Sequence, residues 1–219
     1  PEWSVWRLFV QSVQTLALNL DALESSHPVQ VDVSHPDEIN EIFDTISYAK
    51  GASVLRMLYS FIGEELFLSG VKNYLNKYAY ANGETKDLWN EIAGVVEETK
   101  STVDIVKMMS LWTQAQGYPV LIVEERETKS NGDRQFVLTQ QRFGLRGAEY
   151  VESSTTVWHI PIGVMCESEQ AKSKPVKVVV MDKKSLSVDI SQEAPGFVRF
   201  NAGQLGFFRC CYTEKSDAF

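Results

Sequence analysis

The chain has 219 residues, of which 44 % are hydrophobic and 23 % are charged, and its formal net charge is −8. A chain of this length favours two compact units, and its apolar content excludes an intrinsically disordered protein. The acidic balance, without a stripe of Lys and Arg interleaved with aromatic residues, argues against a nucleic-acid partner. No signal peptide and no membrane-spanning apolar run occurs, so no membrane partner is evident in this segment.

The first half of the chain has the hydrophobic spacing of helices. Apolar residues recur at intervals of three and four over residues 6–20, and a second helix is predicted to begin at Pro36, where acidic residues follow the proline. Tyr48 lies between two apolar helical stripes. Similar spacing continues to about residue 116, so we predict a helical unit over residues 1–116.

The hydrophobic period changes at Gly117. A β-branched run at residues 120–123, a hairpin signal at residues 131–132 and several alternating segments predict six or seven short strands. Strands that follow one another without helices between them favour an antiparallel β-sandwich. We therefore place a domain boundary near Gly117, assign residues 117–219 to the sandwich, and predict its last strand at residues 206–209.

The sequence lacks the usual motifs of a zinc site, of a serine nucleophile and of a phosphate-binding loop. A His-Glu-x-x-His helix, which would set two imidazoles and a glutamate beside one zinc ion, is absent. The three histidines, His27, His35 and His159, are far apart in the sequence. Neither a Gly-x-Ser-x-Gly nucleophile motif nor a glycine-rich phosphate loop before a helix occurs. The residues alone therefore assign no metal ligand and no cofactor-binding residue.

The cysteines indicate a cellular compartment rather than a reaction. Cys166, Cys210 and Cys211 are an odd number, and the last two are adjacent, a geometry that rarely closes a structural disulfide. The chain also has no Asn-x-Ser/Thr glycosylation sequon. We therefore expect a reducing compartment and a cytoplasmic location.

One ordered series of short motifs distinguishes this sequence. The Ser-Tyr-x-Lys-Gly element at residues 47–51 follows residues 21–23 (Asp-Ala-Leu), 26–28 (Ser-His-Pro) and 41–44 (Glu-Ile-Phe-Asp), and it precedes residues 112–113 (Trp-Thr) and 117–119 (Gly-Tyr-Pro). In this order the motifs closely resemble the catalytic-domain tail of the gluzincin zinc aminopeptidases, the family of aminopeptidase N and the puromycin-sensitive aminopeptidase. The β half resembles the small β-sandwich domain of the same family, so the resemblance covers nearly the whole chain.

The resemblance implies a fold and a site. It implies an α+β multidomain protein, in which residues 1–116 are the helical C-terminal portion of a thermolysin-like catalytic domain and residues 117–219 are the small antiparallel β-sandwich. By motif position it implies that Tyr48 is catalytic and stabilises the oxyanion that forms when zinc-bound water attacks the scissile carbonyl. Without the resemblance, Tyr48 is one of eight tyrosines, and a partly buried structural ring is the ordinary interpretation. Residues 50–52 are expected to hold its turn.

The family's zinc ligands and its amine-binding segment do not occur between Pro1 and Phe219. We therefore expect an internal fragment of a zinc metallo-aminopeptidase that hydrolyses N-terminal residues from peptides. Peptides are the implied substrates and zinc is the implied cofactor of the full-length parent, whereas the fragment itself should bind no zinc and be inactive. Closer similarity to the puromycin-sensitive branch adds to the expectation of a cytoplasmic location. The alternative is a non-catalytic protein-interaction module in which Tyr48 is merely packed.

Overall fold

The computed structural model describes residues 4–31, 33, 35–36, 43–126, 128–145, 155–166, 177–191 and 196–213. The chain divides into two compact units, one of residues 1–21 and 25–116, the other of residues 22–24 and 117–219. The sequence predicts that a helix begins at Pro36. Residues 37–42, which would form its first turns, lie outside the described residues.

The first unit is helical, as the three-and-four spacing predicts. Its described residues form α1 (Val5–Leu8), α2 (Thr15–Leu20), α3 (Gly51–Ile62), α4 (Glu64–Lys77), α5 (Thr85–Glu97) and α6 (Ile105–Gln114). Two π-helical segments interrupt this regularity: Phe9–Gln14 joins α1 to α2, and Ile46–Lys50 leads directly into α3. A π segment inserts an extra residue into a helix and is frequent at functional sites.

Local signals set the ends of these helices. Gly63, at a φ of 88°, ends α3, because that left-handed conformation suits a residue without a Cβ. Glu84 and Asp87 form a capping box at the start of α5, and the Asp104 side chain accepts a hydrogen bond from the Lys107 backbone N–H at 2.8 Å to cap α6. Within the described part of the chain, each helix is too short or too polar to cross a bilayer.

The helices pack around an apolar core. Helix α4 packs on α5 and α5 packs on α6. The buried side chains of this core include Val54, Met57, Leu58, Ile92, Val96, Met108, Met109 and Trp112. Full burial of one such side chain contributes about 1.5–3 kcal/mol, so this core supports the segments around Tyr48.

The second unit consists of strands. They are β1 (Pro119–Glu125), β2 (Arg134–Arg142), β3 (Ile160–Cys166), β4 (Lys177–Met181), β5 (Ser185–Ile190), β6 (Val198–Phe200) and β7 (Arg209–Tyr212). They form one sheet in the order β5-β2-β1-β7 and another in the order β4-β3-β6. The β1–β2 hairpin pairs Pro119 with Arg142, and Gly132 in its turn has a φ of 85°. The two sheets contact each other where the Phe136 and Phe200 rings lie edge to face, with centroids 5.2 Å apart.

The prediction of a purely antiparallel β half is wrong in one place. Strand β7 pairs with β1 in parallel, with Val120 opposite Arg209, so the four-stranded sheet is mixed. The reason is the path of the chain: β6, which precedes β7, belongs to the other sheet, so the chain reaches β1 by a crossover rather than a hairpin. A hairpin forces antiparallel pairing, whereas a crossover permits parallel pairing. The two units together are α+β.

The last strand also begins later than the sequence predicts. Residues 206–208 form bends, and β7 starts at Arg209. The Asn201 side chain donates to the carbonyls of Gly206 and Phe208, both at 3.1 Å, and accepts from the Gly206 N–H at 2.9 Å. This side chain therefore satisfies backbone groups that a strand would have paired with a neighbour.

Candidate functional site

Tyr48 lies on the π-helical segment Ile46–Lys50, immediately before α3. Its side chain keeps 64 % of its surface exposed, and its ring is tilted against that of Phe43 at a centroid distance of 6.3 Å. Its backbone N–H donates to the Asp44 carbonyl at 3.2 Å. The phenol is therefore available to a ligand, and the backbone of the turn fixes the point from which the side chain projects.

A groove of about 550 Å³ lies beside the Tyr48 turn. Residues of α3, α4, α5 and α6 contribute to its walls, which include Tyr48, Gly51, Ala52, Leu55, Tyr74, Thr85, Leu88, Trp89 and Thr113. A second hollow of about 380 Å³ is also lined by Tyr48 and Thr85. Apolar walls with a few hydroxyl groups are typical of sites that bind small organic groups or peptide side chains.

Asp44 holds the N-terminal end of the Tyr48 turn. Its Oδ1 accepts a hydrogen bond from the Ser47 backbone N–H at 2.8 Å, as an N-cap does, and its Oδ2 is hydrogen-bonded to His27 Nε2. The other ring nitrogen of His27, Nδ1, lies 2.7 Å from the Pro28 carbonyl oxygen. Both nitrogens thus face oxygen atoms that accept hydrogen bonds, and the protonated imidazolium is the form that satisfies both.

The ionisation of this pair follows from its contacts. Partial burial of His27 opposes its charged form, but the Pro28 hydrogen bond and the bond to Asp44 and its charge outweigh that effect, so the pKa of His27 lies above its ordinary value of 6.5. Partial burial also acts against the charged form of Asp44, but hydrogen bonds from the Ser47 N–H and from His27 hold the pKa of Asp44 below its ordinary value of 3.8. Both shifts favour the ion pair near neutral pH.

Lys50 holds the C-terminal end of the same turn. Its side chain has no exposed surface, and its Nζ lies 2.9 Å from Asp21 Oδ2, which is equally buried. Nζ also donates to the Ala115 carbonyl at 2.8 Å, and the Ser26 hydroxyl donates to Asp21 Oδ1 at 2.6 Å. The buried ammonium therefore has an ion-pair partner and a carbonyl acceptor, and the buried carboxylate has an ion-pair partner and one hydroxyl donor. The sequence-based expectation for Lys50, that it holds the turn of Tyr48, agrees with this geometry.

The other candidate residues do not assemble into a centre. His35 is exposed and His159 is half-buried. In the described residues, no three His, Cys, Asp or Glu side chains come close enough together to hold a metal ion, and both ring nitrogens of His27 are already engaged. The side chains that the structure describes therefore do not fit a zinc site, since zinc needs three or four convergent N, O or S ligands.

The cysteines are free and do not have the properties of catalytic nucleophiles. Burial raises the pKa of the Cys166 thiol, and it raises that of Cys210 to about 12. A thiol with a raised pKa remains protonated and unreactive at neutral pH. Cys210 is the more buried of the adjacent pair, as its alternation with exposed Cys211 on a strand predicts.

Sequence reasoning missed the two ion pairs that hold the Tyr48 turn. Asp21, His27 and Asp44 occur within the motifs that carry the family resemblance, yet no role was predicted for them. One signal was available for Lys50: it lies four residues after Ile46 and four before Val54, on a helical stripe that is otherwise apolar. A lysine in that position predicts a buried partner, although not which acid supplies it.

Comparison with known proteins identifies the family. The sequence model described as "Peptidase family M1 domain" matches residues 1–112. The chain belongs to peptidase family M1. The match ends at the end of the helical unit, while similarity to whole family members extends through the strands as well.

Three relatives illustrate that similarity. The chain is 38 % identical over 215 residues to the alanine/arginine aminopeptidase of Saccharomyces cerevisiae and 36 % identical over 215 residues to aminopeptidase 2, mitochondrial, of the same yeast. It is 35 % identical over 216 residues to the puromycin-sensitive aminopeptidase of Caenorhabditis elegans. In each case the alignment covers 98 % of this chain but only 21–23 % of the relative. The chain therefore spans less than a quarter of the length of these proteins.

Proposed function

We propose that this chain supplies one wall of the active site of a zinc-dependent aminopeptidase, which removes N-terminal residues from peptides. One observation supports this most directly: in a chain of a peptidase family, Tyr48 is exposed and lines the two hollows described above. A tyrosine with a purely structural role would be expected to bury its ring. The names of the aminopeptidase relatives support the same reaction class.

The role we propose for Tyr48 is donation of a hydrogen bond to the oxyanion. When water adds to the scissile carbonyl, the carbonyl oxygen gains negative charge, and a phenol about 3 Å away stabilises that charge more strongly than it stabilises the substrate. In this role the hydroxyl acts as a hydrogen-bond donor and not as a base. Loss of one such donor costs about 10²–10³ in turnover.

We propose that residues 1–116 are the helical tail of a thermolysin-like catalytic domain and that residues 117–219 are a small β-sandwich domain. The clustering of the chain into a helical and a strand-rich unit supports the division, and the Phe136–Phe200 contact between the two sheets supports the sandwich. The sandwich is of mixed rather than purely antiparallel pairing. Its role in this proposal is structural.

Zinc, in this proposal, is held by other residues of the complete enzyme, since the described residues do not fit a zinc site. The 219-residue chain on its own should therefore retain less than one zinc per molecule after dialysis and should not hydrolyse aminoacyl substrates. Elemental analysis and a fluorogenic assay measure both properties. Stoichiometric zinc in the isolated chain would contradict this part of the proposal.

The test of the proposed role of Tyr48 uses the full-length gene product that contains these residues. Tyr48→Phe removes only the hydroxyl, and kcat on an aminoacyl fluorogenic substrate should fall by about 10²–10³ while zinc content and unfolding free energy are unchanged. Tyr80→Phe is the matched control, because Tyr80 is a fully exposed tyrosine of the same unit that lines neither hollow. Unchanged turnover in Tyr48→Phe would overturn the catalytic role and favour an interaction module instead.

We also propose a cytoplasmic location. All three cysteines are free, and Cys211 is exposed, which fits a reducing compartment. One yeast relative is named aminopeptidase 2, mitochondrial, so the location is not uniform among relatives. Fractionation of cells that express the tagged gene product tests the proposal, and recovery in an organelle fraction would contradict it.

A further inference from the structure

An exposed phenol can serve as an oxyanion donor only if something other than ring packing fixes its position. Tyr48 has 64 % of its surface exposed, and its ring lies near that of Phe43, with the centroids 6.3 Å apart. The backbone of the π-helical segment Ile46–Lys50 fixes the point from which the side chain projects. What holds that segment therefore limits where the hydroxyl can lie.

Asp44 makes three contacts at the start of this segment. Its Oδ1 accepts from the Ser47 N–H at 2.8 Å, its backbone carbonyl accepts from the Tyr48 N–H at 3.2 Å, and its Oδ2 is bonded to His27. Asp44 thus accepts hydrogen bonds from the backbone N–H groups of both Ser47 and Tyr48. Movement of Asp44 would move Tyr48 with it.

His27 orients the carboxylate of Asp44. It uses one ring nitrogen for Asp44 and the other for the Pro28 carbonyl, so the ring cannot rotate without losing a hydrogen bond. The charged groups that act on it are Asp44 and, at longer range, Asp21, which is itself paired with Lys50. An imidazolium that makes a hydrogen bond through each ring nitrogen is held rigidly, so it fixes the orientation of the Asp44 carboxylate.

We propose that Asp44, oriented by His27, is a positioning residue for Tyr48. The inference rests on the proposed catalytic role of Tyr48. It adds that Asp44 positions the turn from which the phenol projects. Asp44 is not a catalytic residue in this scheme, because it acts through the turn and not on the substrate. A misplacement of the donor by about 1 Å can cost on the order of 10²-fold in rate, so loss of Asp44 should lower kcat by about 10–100-fold.

A double-mutant cycle in the full-length gene product separates positioning from mere stability. Asp44→Ala should lower kcat by about 10–100-fold when Tyr48 is present and cause no further loss in the Tyr48→Phe background, because the donor is already gone. Asp44→Asn should retain most of the turnover, since its amide oxygen still accepts from the Ser47 N–H. Asp104→Ala is the matched control: it removes an N-cap of the same 2.8 Å length, at the start of α6, and should leave kcat unchanged.

The outcomes distinguish the two proposals. A normal loss in Tyr48→Phe with no loss in Asp44→Ala overturns the positioning role alone, and so does an Asp44→Ala loss of equal size in both backgrounds. Full turnover in Tyr48→Phe overturns the catalytic role and the positioning role together. If Asp44→Ala does not fold, His27→Ala takes its place in the cycle. Its loss of kcat should be smaller, because it removes only the group that orients the carboxylate, and an unchanged kcat in His27→Ala would contradict the proposal.

Discussion

The two units of the chain bury different kinds of side chain. The helical unit buries charged groups: Asp21 and Lys50 have no exposed surface, and Arg56 keeps 8 % of its own. Within the described residues of the strand-rich unit, Gln140 is the one polar side chain that is buried, and the other buried side chains there are apolar. A buried charge costs several kcal/mol unless it is paired, so charges inside the helical unit require a reason.

The position of the buried charges suggests that reason. Lys50 lies in the π-helical segment that carries Tyr48, and Arg56 donates to Gln14, in the other π-helical segment, at 3.0 Å. Burial of the Arg56 guanidinium holds its pKa below the ordinary value, because the charged form is kept from water. Each of the two π-helical segments described above therefore contains or contacts a buried charged side chain. In the strand-rich unit, regular ladders and apolar contacts fix the backbone without them.

The largest effect that tests this contrast is expected at Lys50. Lys50→Met removes the ammonium from a fully buried ion pair and leaves the buried carboxylate without its main opposite charge, so the helical unit should lose about 3–5 kcal/mol of unfolding free energy. Denaturant unfolding followed by the fluorescence of Trp89 and Trp112, both buried in this unit, measures the loss. Addition of Asp21→Asn should recover part of this loss, because the buried negative charge is then removed.

Lys77→Met is the control for the Lys50 prediction. Lys77 also pairs with an acid, Glu91, at 2.5 Å, but 58 % of its side chain is exposed. Exposed ion pairs contribute about 0–1 kcal/mol, so this variant should be nearly neutral. Equal losses in the two lysine variants would show that burial does not distinguish these pairs, and the contrast between the units would no longer hold.

A smaller loss is expected when the buried polar group of the strand-rich unit is removed. The Gln140 side chain donates to the carbonyls of Trp158 and Lys183 at 2.9 and 2.8 Å, and accepts from the Trp158 N–H at 2.9 Å. Gln140→Leu keeps the volume but removes these three hydrogen bonds to backbone groups, at a cost of about 2–4 kcal/mol. Hydrogen exchange of peptides from β2 and β3 should speed up accordingly.

Gln141→Leu is the matched control for that experiment. Gln141 is the next residue on β2, on the opposite face, and it is half-buried. Its replacement should change the unfolding free energy by no more than about 0.5 kcal/mol. If Gln140→Leu were as mild as Gln141→Leu, the strand-rich unit would depend on apolar burial alone.

Much of the fold followed from hydrophobic period, because period reports which face of an element is buried. The helices and most strands were predicted in this way. Hydrophobic period gave a wrong prediction at residues 206–208, because Phe207 and Phe208 are buried in bends and not in a strand. There the Asn201 side chain makes hydrogen bonds to the backbone in place of a neighbouring strand. It also could not show that β7 runs parallel to β1, because pairing partners that are distant in sequence leave no local pattern.

The candidate site was less predictable than the fold. Tyr48 was singled out by resemblance and not by its own neighbourhood, and its catalytic role remains a proposal. The pairs Asp21–Lys50 and His27–Asp44 join segments that are far apart in the chain. Their charges look like surface charges in the sequence, because burial of an ion pair depends on tertiary packing. Only the placement of Lys50 on an apolar stripe gave a hint.

Backbone packing in the helical unit gives a third and smaller test. A Cβ added at Gly70 of α4 would lie 2.7 Å from the Ile92 Cα of α5, whereas nothing lies within 4 Å of the corresponding position at Gly94. Gly70→Ala should therefore destabilise the unit by about 1–3 kcal/mol through overpacking, while Gly94→Ala should stabilise it by about 0.5–1 kcal/mol. Denaturant unfolding of the two variants measures the difference. If Gly70→Ala stabilised the unit as Gly94→Ala is expected to do, α4 and α5 would not approach each other as closely as the structure shows.

The smallest expected effect is the pH dependence of the His27–Asp44 pair. The folded pKa of His27 is raised above 6.5, so its contribution to stability is complete below about pH 6.5 and is lost as pH rises through the folded pKa. Asp44 has a lowered pKa, so its contribution is complete above about pH 3.8 and is lost as pH falls through the lower folded value. Both side chains are about one third exposed, and solvent screening keeps the effect below about 1 kcal/mol.

The measurement compares the unfolding free energy of the wild type and of His27→Gln between pH 5.5 and 9, about the range over which His27 loses its proton. The wild type should be the more stable at the acid end, and the difference should shrink as pH rises because deprotonated His27 no longer pairs with Asp44. Asp44→Asn should abolish the same slope, since the pair needs both charges. If His27→Gln retained the slope of the wild type, another group would be responsible and the Tyr48 turn would be held by Lys50 and the neutral hydrogen bonds alone. In that case a charged anchor would be needed only where burial is complete, as at Lys50.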